Sequence, residues 1–262
     1  MQPELDIGPI TLQTFGIMFA LAFIAAGAVV AKRLDELGKP VDWAYEMIFA
    51  ALVGGIVGAR VDFVIENYSE VKDDLLGNIF SGTGLVWYGG AIGGAIGVCI
   101  WAYFRRMLNL RLLDMCAPAL AVGYAVGRIG CQLSGDGDYG IPWDGPWAMA
   151  YPDGTVPTDV PVHPTPVYET VAMGLVAYAL WRLRLSFTPG LLFALYLVLA
   201  GAERFLVEFI RRNDEVLAGL TQAQLLSLAM IVAGGAWLAV KSRRGELWAQ
   251  RPAEATANPR AP

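Results

Sequence analysis

Four arginines stand inside or at the ends of apolar runs: Arg60, Arg128, Arg204 and Arg211. An ionisable side chain at membrane depth is costly unless it is partnered or used, so each marks a candidate functional site. Arg204, Glu208 and Arg211 are spaced i, i+4, i+7, which predicts one helical face. A guanidinium fork matches phosphate oxygens two at a time. The chemistry expected of several arginines at one depth is therefore the holding of an anionic group, and in a membrane that group is a phospholipid headgroup. On that face Glu208 is expected to orient one arginine and leave another for the phosphate. As a purely structural ion bridge, the same pair would pin helices together.

Three further segments carry chemistry-bearing residues. The run Gly127-Arg128-Ile129-Gly130 leads into a glycine-rich stretch containing Cys131, Ser134, Asp136 and Asp138. The two aspartates have a metal-like spacing without a complete calcium loop, and no metal site is expected. Trp87-Tyr88-Gly89-Gly90 opens another apolar run, where small residues suit close helix packing and the aromatics suit an interfacial belt. His163, the only histidine, begins the stretch His163-Pro164-Thr165-Pro166-Val167-Tyr168-Glu169. Acidic Glu169 near a helix start can stabilise its positive end.

These residues need apolar elements to position them. The chain is 56% hydrophobic and 16% charged, with a mean hydropathy of +0.49. Soluble domains are about 45–50% apolar and about 25% charged. The excess falls in runs long enough to cross a hydrocarbon core. Seven spans are predicted, at about 10–31, 44–65, 84–104, 111–133, 166–184, 190–210 and 222–240. The fold class is thus all-α, a polytopic membrane protein in one domain over 1–240. Residues 241–262, basic and then rich in Ala, Pro and Glu, are expected to form a disordered cytoplasmic tail. Segment 67–83 is too polar to span and is expected to form a surface arm. Cys99, Cys116 and Cys131 make no disulfide framework. The acidic start lacks a basic n-region, so the first span is expected to be retained.

Basic residues orient the spans. Lys32, Arg33 and Lys39 follow the first, Arg105, Arg106 and Arg111 the third, Arg182 and Arg184 the fifth, and Lys241, Arg243 and Arg244 the seventh. Segment 134–165, in contrast, has five aspartates and neither Lys nor Arg. The N-terminus is expected outside and the C-terminus inside. That topology puts Arg60, Tyr88, Arg128, His163, Glu169, Arg204 and Glu208 near the outer surface.

Taken together, these segments resemble the prolipoprotein diacylglyceryl transferase family of bacterial inner membranes. The matching residues run in order along the chain: Phe15-Gly16, Gly58-Ala59-Arg60, Tyr88-Gly89-Gly90, Gly127-Arg128-Ile129-Gly130, His163-Pro164-Thr165 with Tyr168-Glu169, and Arg204-Phe205 with Glu208-Phe209-Ile210-Arg211. The resemblance implies transfer of the diacylglyceryl group of phosphatidylglycerol to the lipobox cysteine thiol of a preprolipoprotein signal peptide. A thioether would form and glycerol phosphate would leave, with no cofactor required. It implies a site open to the outer leaflet, with membrane lipids and the signal peptide as partners and no nucleic acid.

By the same resemblance Arg128 and Arg204 are assigned to the phosphate. Arg60, Glu208, Arg211, Ser134, Gly89, Gly90, Tyr168 and Glu169 are expected to surround the substrate. The chain departs from the family pattern at Tyr88, where many members have histidine, and at Cys131, where the family has asparagine. It departs again at Phe15, where the family has tyrosine, and in the loop bearing Ser134 and Asp136. Tyr88, His163 and Asp136 are therefore competing candidates for the group that takes the thiol proton. Two other readings are a paralogue acting on another acceptor and an anion or lipid transporter.

Overall fold

A computed structural model describes residues 1–68 and 86–249. The expected surface arm, apart from Asn67 and Tyr68, and residues 250–262 of the expected tail lie outside the described residues. The described chain is mostly helical. Helix α1 is Thr14–Glu36, α2 Trp43–Glu66, α3 Trp87–Phe104, α4 Leu110–Ser134, α5 Thr165–Leu183, α6 Leu191–Val207 and α7 Gln222–Arg243. By length and composition α1, α2, α4 and α7 could each cross a membrane, and α3 is a shorter apolar helix. Large apolar side chains point outward along them: Ile24, Phe49, Ile65, Leu175 and Val232 are all at least 65% exposed. In water such a surface would be unstable, whereas lipid tails cover it at no cost.

Three short antiparallel hairpins differ from the all-helical expectation. They pair β1 (Glu4–Ile7) with β2 (Ile10–Gln13), β3 (Met149–Tyr151) with β4 (Thr158–Val162), and β5 (Glu215–Leu217) with β6 (Leu220–Thr221). Each lies beside a helix end. The first span was expected from residue 10, but Ile10–Gln13 alternates apolar and polar residues and pairs with β1, so α1 begins at Thr14. The sixth was expected to run to 210, but α6 stops at Val207 and a 3-10 turn, Glu208–Ile210, follows. Beyond α7, the Ala249 amide donates to the Ser186 carbonyl at 2.9 Å and Trp248 stacks on Phe187 at 5.0 Å.

The chain forms two compact units, residues 27–112 and residues 1–26 with 113–262. In the first, α2 and α3 pack backbone to backbone. A Cβ on Gly58 would lie 2.8 Å from the Gly93 Cα, so neither helix tolerates a side chain there. Glu46 of α2 accepts from Trp101 Nε1 at 2.9 Å and from Arg105 Nε at 2.7 Å, both on the α3 side.

In the second unit, α4, α5 and α6 share a core of Ala117, Ala121, Ala125, Met173, Ala177, Leu180, Leu192 and Ala200. Helix α6, which carries Arg204, is anchored from α4. Buried Asp114 accepts from the Gly190 amide at 2.7 Å and from the Phe193 amide at 3.0 Å, satisfying helix-start donors. Gly190 supplies the left-handed backbone (φ 94°) that this entry requires. Replacing Asp114 with alanine is expected to remove about 1–2 kcal/mol of stability by loss of the cap. The check is a lowered thermal midpoint of the detergent-solubilised protein.

Candidate functional site

Three arginines and three carboxylates meet where α4, α5 and the end of α6 come together. Arg128, four residues after Tyr124 on α4, pairs through Nε with Glu169 Oε2 and through Nη1 with Asp138 Oδ2. Its Nη2 donates to the Tyr124 hydroxyl at 3.1 Å, and its guanidinium lies over the Tyr124 ring at 5.0 Å. The Tyr124 hydroxyl in turn donates to Glu169 Oε2 at 2.7 Å. The second arginine, Arg211, donates to Glu169 Oε1 at 3.0 Å and pairs with Asp138 Oδ1. Glu169 has no exposed side-chain surface.

The third arginine is less committed. Arg204 Nη1 lies 2.7 Å from Glu208 Oε2, an ion pair whose angles do not make a hydrogen bond, and that buried nitrogen has no hydrogen-bond partner among the described residues. Glu208 Oε2 likewise has no hydrogen-bond partner among the described residues, whereas Oε1 is filled. Oε1 accepts from Asn213 Nδ2 and Thr221 Oγ1, both at 2.7 Å, and Oε2 lies 3.9 Å from Arg211 Nε. Thr221 Oγ1 also accepts from the Gln224 amide at 3.2 Å as the N-cap of α7. Glu208 therefore fixes Arg204 to the start of α7. Arg204 keeps 22% of its side chain exposed.

The expectation that Arg204, Glu208 and Arg211 share one helical face is corrected. The helix has ended before Arg211, whose backbone is extended (φ −86°, ψ 170°). Its guanidinium therefore leaves the Arg204 row and turns to Glu169 and Asp138.

The other expected residues fall in several places. Ser134 donates to the Gly130 carbonyl at 2.8 Å, within its own helix. Asp136 accepts from the Asp138 amide at 3.2 Å and shapes the loop that brings Asp138 inward. Cys131, Asp136 and Asp138 place their ligand atoms within 4.8 Å of one another, but both Asp138 oxygens are taken by arginines. His163 stacks on Trp143 (4.4 Å, 12°), and its Nδ1 lies 3.3 Å from the Tyr168 hydroxyl, which accepts from Trp147 Nε1 at 2.7 Å. Partial burial holds the His163 pKa below its usual value, so the ring is neutral at neutral pH.

Arg60, Tyr88, Gly89 and Gly90 belong to the other unit. There Arg60 is buried over the Phe63 ring at 5.5 Å. Tyr88 is half-buried, and the Gly89 amide donates to Asp62 Oδ2 at 2.8 Å. Gly90 faces Ala59, consistent with a packing role.

Sequence reasoning missed Tyr124 as a partner and Asp138 as the bridge between two arginines. The available signals were Tyr124 at i−4 to Arg128, and an acid a few residues beyond an arginine-bearing span.

Asp138 sits against opposing influences. Partial burial works to raise its pKa, but the guanidiniums of Arg128 and Arg211 outweigh it and hold the carboxyl below its usual range. Stability from this depressed group is fully present above its unfolded value of about 3.9 and is lost as pH falls through the folded value. The Asp138→Asn variant is therefore expected to melt below wild type at pH 6–8, with the two melting points converging in strong acid. Its loss at neutral pH is about 1–3 kcal/mol, below that of a fully buried pair because a third of the side chain sees solvent. Equal melting points at neutral pH would remove Asp138 from the network.

Comparison with known proteins agrees with the resemblance. The family model described as prolipoprotein diacylglyceryl transferase matches residues 4–240. The chain is 31% identical over 240 residues to a phosphatidylglycerol–prolipoprotein diacylglyceryl transferase of Clostridium tetani, covering 89% of this chain and 95% of that protein. It is 32% identical over 257 residues to the protein of the same name in Chromohalobacter salexigens, covering 92% and 94%. A third, from Bordetella parapertussis, is 31% identical over 249 residues, covering 88% and 94%. With its arginine motifs in order and matched over nearly its whole length, this chain belongs to the prolipoprotein diacylglyceryl transferase family.

Proposed function

We propose that this protein transfers the sn-1,2-diacylglyceryl group of phosphatidylglycerol to the lipobox cysteine thiol of a preprolipoprotein, forming a thioether and releasing glycerol phosphate. Family membership supports the reaction class. The observation that carries the role of the site is Arg204, a largely buried guanidinium whose Nη1 no hydrogen bond satisfies among the described residues. A phosphate oxygen supplies the missing acceptor. Charge grows on the phosphate as the carbon–oxygen bond breaks, and a fixed guanidinium in a low-dielectric site stabilises that charge.

Arg128 is the second phosphate ligand in this reading. Its partner Asp138 is the most exposed of the three carboxylates, at 32% against none for Glu169 and Glu208. Exchanging Asp138 for phosphate therefore strands the least charge away from water. Glu208, Arg211, Ser134, Tyr168 and Glu169, all of the unit that carries Arg128 and Arg204, form the surround, and His163 lies on the loop side where an incoming peptide would pass.

The apolar helices support a bacterial inner-membrane protein in which all seven cross the bilayer, with the N-terminus outside and the site toward the outer leaflet. Phosphatidylglycerol then enters laterally, and the acceptor arrives as a membrane-inserted signal peptide.

Purified protein with labelled phosphatidylglycerol and a lipobox peptide is expected to form the thioether product. Arg204→Ala should lower the rate by about 100-fold or more while still inserting and folding. Transfer at the wild-type rate by both Arg204→Ala and Arg128→Ala would refute the phosphate assignment. The topology has its own check: alkaline phosphatase should be inactive when fused after Arg244 and active when fused after Asp153. The reverse pattern would invert the orientation.

A further inference from the structure

Glu203, next to Arg204, is a carboxylate that the phosphate-holding scheme leaves unused. It lies on the inward face of α6. Tyr196, Ala200, Glu203 and Val207 follow one another at spacings of four, three and four, which makes one stripe along a helix. Tyr196 and Ala200 of that stripe pack into the core shared with Ala121 and Ala125 of α4 and Met173 and Ala177 of α5. Val207 is buried as well. Glu203 is thus turned toward α4 and α5 in a row otherwise filled by apolar or aromatic side chains.

Charged groups of three segments lie near it. Glu203 interacts electrostatically with Arg128 of α4, Glu169 of α5, Arg204 beside it and Arg211 beyond the helix. Tyr124 of α4 and Tyr196 of its own helix also sense it. Yet no hydrogen bond and no ion pair runs to Glu203 among the described residues, whereas Glu169, Glu208 and Asp138 each have at least two partners. The three arginines are already matched by those three carboxylates. A fourth carboxylate, half-buried and held by none of the arginines, is a costly feature of that interface unless it is used.

We infer that Glu203 is the proton acceptor for the thiol of the acceptor peptide. This rests on the transferase reading above. Glu203 takes the S–H proton, and the sulfur electron pair forms the new S–C bond at the glyceryl carbon. The C–O bond to phosphate breaks with its electron pair moving to the phosphate oxygen. Glu203 then gives its proton to the leaving phosphate monoester and is a carboxylate again. The position suits both transfers, because Arg128 of α4, on the side toward which Glu203 is turned, is a phosphate ligand in that reading. A structural counter-charge, in contrast, would be expected to hold an arginine, as the other three carboxylates do.

The test compares wild type, Glu203→Gln, Glu203→Asp and Arg204→Ala in the same transfer assay across pH 5–9, alongside binding of phosphatidylglycerol vesicles. Wild-type transfer should fall on the acid side, where a carboxylate base is protonated. Glu203→Gln is expected to transfer at least about 100-fold more slowly, to lose the acid limb, and to bind phosphatidylglycerol as wild type does. Glu203→Asp should recover part of the rate with a displaced acid limb.

A Glu203→Gln enzyme with the wild-type rate and acid limb overturns the inference while leaving the transferase reading intact. Should Glu203→Gln fail to fold, Glu203→Asp decides: an unchanged rate and limb overturn the inference, and a displaced limb supports it. A folded wild type that transfers nothing overturns the transferase reading, and this role with it.

Discussion

The structure of the site depends on the cost of burying charge. A guanidinium among apolar helices is tolerated only if a carboxylate stands opposite, and each carboxylate only if it is paired in turn. Here the requirement is met by sharing. Glu169 and Asp138 each bridge Arg128 and Arg211, and Glu208 reaches both Arg204 and Arg211. No member can leave without stranding another, so the network fixes the ends of α4, α5 and α6 together. It also determines where a loop must go. Residues 135–140 fold inward because Asp138 is needed between two arginines, and left-handed Gly135 and Gly137 allow the chain to turn back.

The hairpins and caps serve the same end. Loops have to cover the helix mouths without leaving backbone donors unpaired. The Gly140 amide donates to the His163 carbonyl at 2.8 Å, and the His163 amide to the Ile141 carbonyl at 3.1 Å, so the Asp138 loop is stitched to the entry of α5. The Ile141 amide reaches the Ile210 carbonyl at 2.8 Å, tying that loop to the turn that carries Arg211. Thr165 Oγ1 adds a bond to the Asp138 carbonyl at 2.5 Å. Three segments distant in sequence thus deliver their charged side chains to one place, over a rigid helical base.

Much of this was legible in the sequence, for identifiable reasons. Apolar runs of span length announced the helices, because a lipid-facing helix must be apolar almost throughout. Arginines inside those runs announced the site. Helix ends were less legible: Ile10–Gln13 is apolar enough to extend a span, and only its pairing with Glu4–Ile7 shows it to be a strand. Periodicity also failed at Arg211, because it assumes that a helix continues, and a 3-10 turn redirects the side chain. The Asp138 bridge was hidden because a pairing to Arg211, 73 residues away, leaves no mark in local spacing. The aspartate looked like loop chemistry or half of a metal motif until the loop was folded.

A balanced network raises a question of its own, since a cluster already neutral has no net charge with which to attract a phosphodiester. What it offers instead is graded commitment. Arg211 and Arg128 are each shared between carboxylates, while Arg204 holds one carboxylate at poor angles and keeps part of its surface open. An incoming phosphate therefore need not break the network to find a ligand. On the proposed reading it would meet Arg204 first, and only then compete with the partly exposed carboxylate of Asp138 for Arg128. On that reading the fixed guanidiniums would interact more strongly with the phosphate as the leaving group gains charge. A site with freely available arginines would bind the anion more tightly, but it would be costly to bury when empty. On the proposed reading the shared arrangement would keep the cluster stable without substrate and reserve its strongest interaction for the moment the bond to phosphate breaks.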